Sequence, residues 1–200
     1  MFDARLRPLI DPALNRMGAA IARRGITANQ VTVAGAIVGA IAGIAIGLGH
    51  PLMGLGFVLL SRLLDGLDGA IARASQPTDF GGYLDIVCDY VFYLAVPLGF
   101  GFAAAENLPY AMVLVAAFTL TGVSFLAYAT LAAKRGVETE AHGAKSFFYS
   151  TGLAEGAETI GAFVLMCLAP GWFPAIAAVF TGLCVLTVIQ RSVIARRVFR

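Results

Sequence analysis

Six apolar runs constrain this chain more than any other feature. They cover about residues 27–48, 52–73, 82–104, 108–133, 146–169 and 173–195. At about 1.5 Å of rise per helical residue, each is long enough to cross about 30 Å of hydrocarbon. The composition agrees, with 59% apolar residues, 13% charged residues and a mean hydropathy of +0.83 across 200 residues. A soluble domain with a large aqueous core is excluded; the pattern predicts an all-α integral membrane protein with six transmembrane helices. We expect one membrane domain over 1–200, in which residues 1–25 form an interfacial helix and residues 26–200 the six-helix bundle.

Residues 2–24 mix arginines with Phe2, Leu6, Leu9, Ile10, Leu14 and Met17. This predicts an amphipathic helix on an anionic membrane surface, broken or bent near Pro8 and Pro12. Thr27 and Gln30 then stand at capping-box spacing and open the first run. Within it Gly35, Gly39, Gly43 and Gly47 recur every fourth residue, a ladder on which another helix can pack backbone to backbone. Cys88, Cys167 and Cys184 lack paired or metal-type spacing and read as free thiols.

Charge sets the orientation. All fourteen Lys and Arg residues fall on one side once the six runs are drawn, whereas the opposite loops, near His50, Glu106 and Pro170 to Trp172, have none. By the positive-inside rule both termini are cytoplasmic, in a multi-pass protein of the cell (inner) membrane. The net charge of +2 reflects topology and lipid contact, and nothing predicts nucleic-acid binding.

Four aspartates interrupt this apolar pattern. Asp65 and Asp68 lie in the second run, three residues apart; Asp85 and Asp89 lie in the third, four apart. Each pair shares one helical face. If the loop from Ala74 to Phe80 reverses the chain, the two helices are antiparallel neighbours and their acidic faces meet. Ionised carboxylates at lipid depth are unfavourable by several kcal/mol unless paired or cation-bound, so a metal is the first expectation. Structural pairing with Arg62 and Arg73 is the alternative, but two arginines cannot balance four carboxylates. An all-oxygen ligand set suits Mg2+ or Mn2+ better than zinc. Gly69, Ala72 and Gly81 leave bare backbone beside the acids, and Arg73 sits about 12 Å along the helix from Asp65.

The spacing Asp-x2-Asp-Gly-x2-Ala-Arg, seven residues, then Gly-x3-Asp-x3-Asp resembles the signature of the CDP-alcohol phosphotransferase family. It falls on Asp65, Asp68, Gly69, Ala72, Arg73, Gly81, Asp85 and Asp89, with every position filled. The resemblance implies a phosphatidyltransferase of phospholipid biosynthesis: a phosphatidyl group passes from CDP-diacylglycerol to a small alcohol, with release of CMP. It implies two divalent cations, Mg2+ or Mn2+, on Asp65, Asp68, Asp85 and Asp89, with Asp89 as base. Arg73, Gly69 and Ala72 would hold the cytidine diphosphate beside Asp68 and Gly81, with Asn29 and Thr32 adding polar contacts. A homodimer is implied as well.

The acceptor is less constrained. Lys134, Arg135, Lys145 and Arg191 lie on the same side as the aspartates and suit a phosphorylated alcohol such as glycerol phosphate or inositol phosphate. Glu155 and Glu158, three residues apart in the fifth run, are expected to face the cavity and touch acceptor hydroxyls or an amine. Where relatives that use inositol phosphate resemble Glu-Arg-x-Glu-Arg, this chain has Gly156 and Thr159 in place of the arginines. The signature we associate with serine-using members is also absent. The rival reading is an ion- or proton-coupled transporter using the intramembrane carboxylates; the single off-centre acidic cluster and the lack of an internal repeat count against it.

Overall fold

The computed structural model describes residues 3–136 and 152–199, with side chains from residue 10 onward. Every regular element among them is helical: α1 (Asp3–Ala22), α2 (Ala28–Gly47), α3 (Pro51–Ala74), α4 (Asp79–Ala103), α5 (Leu108–Lys134), α6 (Gly156–Leu168) and α7 (Phe173–Val198). Short 3-10 turns at Ala105–Asn107 and Pro170–Trp172 lead into α5 and α7. Among the described residues, four segments are long and apolar enough to cross a membrane: α2, α4, and α5 and α7 each with its leading turn. α3 has the length but carries Arg62, Asp65, Asp68 and Arg73, and α6 has only 13 residues.

Local chemistry explains the boundaries. Thr27 Oγ1 accepts from the Gln30 amide at 3.3 Å and Gln30 Oε1 accepts from the Thr27 amide at 3.0 Å, the reciprocal box that starts α2. Thr78 caps α4 in the same way, accepting from Gly81 N at 3.0 Å. Proline occupies the first turn of α3, α5 and α7, where its missing N–H leaves no bond unmade. α1 runs as one helix past Pro8 and Pro12, so these prolines do not divide it.

The glycine ladder decides the packing. α2 packs closely along both α3 and α4, and those two helices meet through side chains at their acidic ends, as the short loop predicts. Gly35 faces Leu64 and Ser61 of α3; Gly43 and Gly47 face Ala95 and Gly99 of α4; Gly39 touches both Phe92 and Ser61. A helix with no side chain on this face lets both partners close in on it, so their acidic ends converge. The other half of the bundle is cemented by aromatic rings. Phe100 stacks on Phe173 at 4.7 Å between centroids, and Phe163 lies edge-on to Phe92 and Phe118 at 5.5 and 5.9 Å. Phe92, Phe163 and Phe173 are fully buried.

Candidate active site

Asp65 and Asp68 project from the second half of α3, and Asp85 from the first half of α4. One carboxylate oxygen from each lies within 4.8 Å of the other two. Three carboxylate oxygens gathered this closely would be able to hold one hard divalent ion, Mg2+ or Mn2+, after rotamer adjustment. Asp68 is 5% exposed, and its Oδ2 is buried without a hydrogen-bond partner. A buried carboxylate oxygen left open beside two further carboxylates fits a hard cation. The cleft they line with Thr32, Gly35, Ala36, Arg62, Cys88 and Asp89 has a volume of about 10 Å³, room for about one water.

Asp89 lines the same cleft beside that trio. Its Oδ1 accepts from Arg62 Nη1 at 2.8 Å, and the same nitrogen lies 3.6 Å from Asp65 Oδ1. Arg62 is fixed from other directions too. Its guanidinium lies 3.7 Å over the Phe92 ring, and Nη2 donates to Ser61 Oγ at 3.2 Å. Ser61 in turn donates to Gly35 O at 2.9 Å, tying Arg62 to the bare face of α2. The sequence marks Arg62 only as a possible counter-ion; its i, i+3 spacing from Asp65 is the signal that places it in the site.

The second arginine behaves differently. Arg73 is exposed and donates through Nε and Nη2 to Asn15 Oδ1 at 3.2 and 2.9 Å. Asn15 belongs to α1, which packs along α3 with Leu14 against Gly66 and Gly18 against Ala70. Sequence reasoning missed Asn15, although Leu14 and Gly18 share a face at i, i+4 and match the small residues Gly66 and Ala70 at the same spacing. The Arg73 guanidinium passes beside Gly69, where an added Cβ would stand 3.3 Å from Nη1. Ala72 is half-buried in the same turn. Asn29 lies at the mouth: a Cβ on Gly81 would stand 3.2 Å from its Oδ1. Thr32 Oγ1 donates to Ala28 O at 3.0 Å and lines the cleft. The predicted donor residues are thus gathered at one end of α2, α3 and α4.

The predicted acceptor residues divide into separate groups. Arg191 of α7 is buried and donates to Thr121 O at 2.8 Å and Ser124 Oγ at 2.7 Å on α5. Glu155, just before α6, accepts from Gly152 N at 2.9 Å. Thr187, also buried, accepts from the amides of Leu153 and Ala154 at 3.0 Å each and so pins this segment to α7. A Cβ on Gly152 would stand 3.6 Å from Arg191 Nη2, which puts the Arg191 head beside the Gly152–Glu155 turn. Glu158 is half-buried on the first turn of α6. Lys134 and Arg135 are exposed at the end of α5, with Arg135 over the Phe199 ring at 5.6 Å, and Lys145 lies outside the described residues.

With this geometry in hand, comparison with known proteins is direct. The family model described as CDP-alcohol phosphatidyltransferase matches residues 25–191, and the chain belongs to that family. It is 46% identical over 192 residues to the inner membrane protein YnjF of Escherichia coli, covering 96% of this chain and 93% of the relative. It is also 34% identical over 87 residues to an archaetidylinositol phosphate synthase of Pyrococcus horikoshii, spanning 43% of this chain and 46% of that protein. The fold matches the phosphatidylinositol phosphate synthase PgsA1 of Mycobacterium tuberculosis. Its complex with manganese and citrate aligns with a TM-score of 0.72 at 21% identity, covering 89% of this chain and 86% of that one. The same enzyme with CDP-DAG bound aligns at 0.71 and 18% identity, covering 89% and 90%. Family membership lends the transporter reading no support.

Proposed function

We propose that this protein transfers the phosphatidyl group of CDP-diacylglycerol to the hydroxyl of a small alcohol and releases CMP, at the cytoplasmic face of the inner membrane. The observation that carries the reading is the Asp65–Asp68–Asp85 trio at 4.8 Å, with Asp89 beside it and Arg73 at its mouth. The named activity of the PgsA1 neighbour, solved with CDP-DAG in one structure and manganese in another, supports the donor and the metal type. Divalent cations, Mg2+ or Mn2+, on these carboxylates would neutralise phosphate charge and stabilise the departing CMP.

The remaining work falls to the chain. Arg73, with the bare backbone at Gly69 and Ala72, holds the cytidine diphosphate, and Asn29 and Thr32 add polar contacts at the mouth beside Gly81. The acceptor oxygen attacks the phosphorus that carries diacylglycerol, one P–O bond forming as the P–O bond to CMP breaks. Its proton passes to Asp89, whose carboxylate Arg62 orients. Arg191, with Glu155 and Glu158, is assigned to the acceptor side, and Lys134 and Arg135, with Lys145 from the sequence alone, are assigned as further basic contacts. The alcohol would be small and polar, and a phosphorylated one has Arg191 as its natural partner.

We read α3 as a further span, since its 24 residues reach about 36 Å and its charges lie only from its midpoint at Arg62 onward. α6, at about 20 Å, lies within the apolar run expected to form the remaining span. α1 then lies on the cytoplasmic surface, with both termini on that side. Purified protein given CDP-diacylglycerol and Mg2+ should release CMP only when its alcohol is supplied from a panel of polyols, polyol phosphates and amino alcohols. Asp89→Asn should lower that rate by at least about 100-fold. No CMP from any member of a broad panel would refute the reading.

A further inference from the structure

The geometry points to a second binding site, for the primary ammonium head of a membrane phospholipid, at the end of the bundle opposite the acids. α2 carries Thr32 beside the acids near its start, so the turn that follows it, with Gly49 and Pro51, lies at the far end. There it meets the turns that lead into α5 and α7, and the three line a cavity of about 360 Å³. That falls within the range of about 300–1,000 Å³ usual for ligand pockets. Small residues keep it open: an added Cβ at Gly49 or Gly171 would meet nothing within 4 Å. Phe100, buried and stacked on Phe173 at 4.7 Å, gives it a fixed wall.

Its polar side chains are two acceptors. Glu106 supplies a carboxylate; Asn107 is buried and donates through Nδ2 to Phe100 O at 3.2 Å, which leaves Oδ1 as the group it offers a ligand. No Lys or Arg occurs in any of the three turns, so an anion finds no permanent cation there. A primary ammonium brings a positive charge and three N–H donors, whereas a quaternary one brings the charge alone. Position names the source of that ammonium. Leu48, Leu52, Phe102 and Trp172 each stand one residue from the lining and are at least 67% exposed. Apolar and indole side chains exposed around a mouth belong at the boundary of headgroups and acyl chains. An aminophospholipid of that leaflet presents its head at this depth and lays its chains along the exposed leucines.

Trp172 is the one tryptophan of the chain and borders the cavity, so its fluorescence reports occupancy. The full chain in detergent micelles is titrated with dioctanoyl phosphatidylethanolamine, phosphatidylcholine and phosphatidylglycerol. Phosphatidylethanolamine should give a saturable change at an affinity at least about threefold above phosphatidylcholine, and phosphatidylglycerol none. Glu106→Gln should erase that preference, and because Glu106 is exposed it should leave the unfolding temperature unchanged. Equal affinities for the three lipids, a preference for phosphatidylglycerol, no saturable change with any of them, or a preference for phosphatidylethanolamine that survives Glu106→Gln would each overturn the inference. The titration involves no nucleotide, metal or CMP release, so this site and the proposed transfer fail separately.

Discussion

Replacing Gly43 by alanine tests whether the bare face of α2 sets the spacing of the aspartates. A Cβ at this position would stand 2.7 Å from the Ala95 carbonyl carbon and 3.0 Å from Ala95 Cβ. Carbon pairs rest at about 3.5–4.0 Å, so the helices must part by about 1 Å. The obstacle is backbone of α4, not the tip of a side chain, and no rotamer change relieves it. Overpacking of this kind costs about 1–3 kcal/mol, against about 1 kcal/mol regained from alanine's helix propensity, leaving about 0–2 kcal/mol lost. Function should suffer more than stability. Asp89 lies six residues from Ala95, about 9 Å along the same helix, and a misplacement of about 1 Å at a reacting group is worth about 100-fold. CMP release should therefore fall by about 10- to 100-fold, and Mn2+ affinity should weaken with it. Gly161→Ala on α6 is the control, because an added Cβ there meets nothing within 4 Å. Thermal unfolding in detergent, CMP release and Mn2+ titration on both variants decide the matter. If Gly43→Ala matches Gly161→Ala in all three, α2 does not hold the acidic ends of α3 and α4 in register.

Two further substitutions separate the donor and acceptor sides. Asn15→Ala removes the acceptor of both Arg73 bonds; Arg73 is exposed, so the loss is about 0.5–1 kcal/mol, a rise of about two- to fivefold in KM for the CDP donor with kcat unchanged, read from initial rates. Thr187→Val leaves the Leu153 and Ala154 amides without their acceptor, which should cost about 2 kcal/mol or more and lower the unfolding temperature by at least about 4 °C. An unchanged unfolding temperature would mean that water replaces the hydroxyl, and that the Gly152–Glu155 turn is not pinned by α7.

Periodicity made much of this legible. The apolar runs located α2, α4, α5 and α7 to within a few residues, because backbone polar groups in an apolar stretch are best satisfied inside a helix. The Thr27–Gln30 box and the four-residue glycine spacing were equally plain, since both act through neighbours on one helix. What the ladder packs against was not legible. The short Ala74–Phe80 loop argues for α3 and α4 as neighbours, and Arg62 does reach Asp89, but no local signal says that both share the glycine face of α2, where Gly39 faces Phe92 of one helix and Ser61 of the other. Contacts of this kind depend on which faces close across tens of residues, and no local pattern encodes them. The Asn15–Arg73 link, spanning 58 positions, was hidden for the same reason.

The two arginines near the acids show why counting charges from sequence falls short of placing them. Had both turned toward the carboxylates, the cluster would be an ion-pair network with half its charge matched. Instead Arg73 is bonded to Asn15, and Arg62 enters the cluster, bound to Asp89. The carboxylates of Asp65, Asp68 and Asp85 are left within 4.8 Å of one another. Two unit charges at that separation would repel by about 3 kcal/mol at an effective dielectric of 20, so ionising all three carboxylates together is unfavourable without a positive charge among them. A cluster that holds its acids this close fits the metal-assisted transfer proposed above: a divalent ion would relieve these repulsions at once, and Arg73, bonded to Asn15, would be left to meet a nucleotide's phosphates.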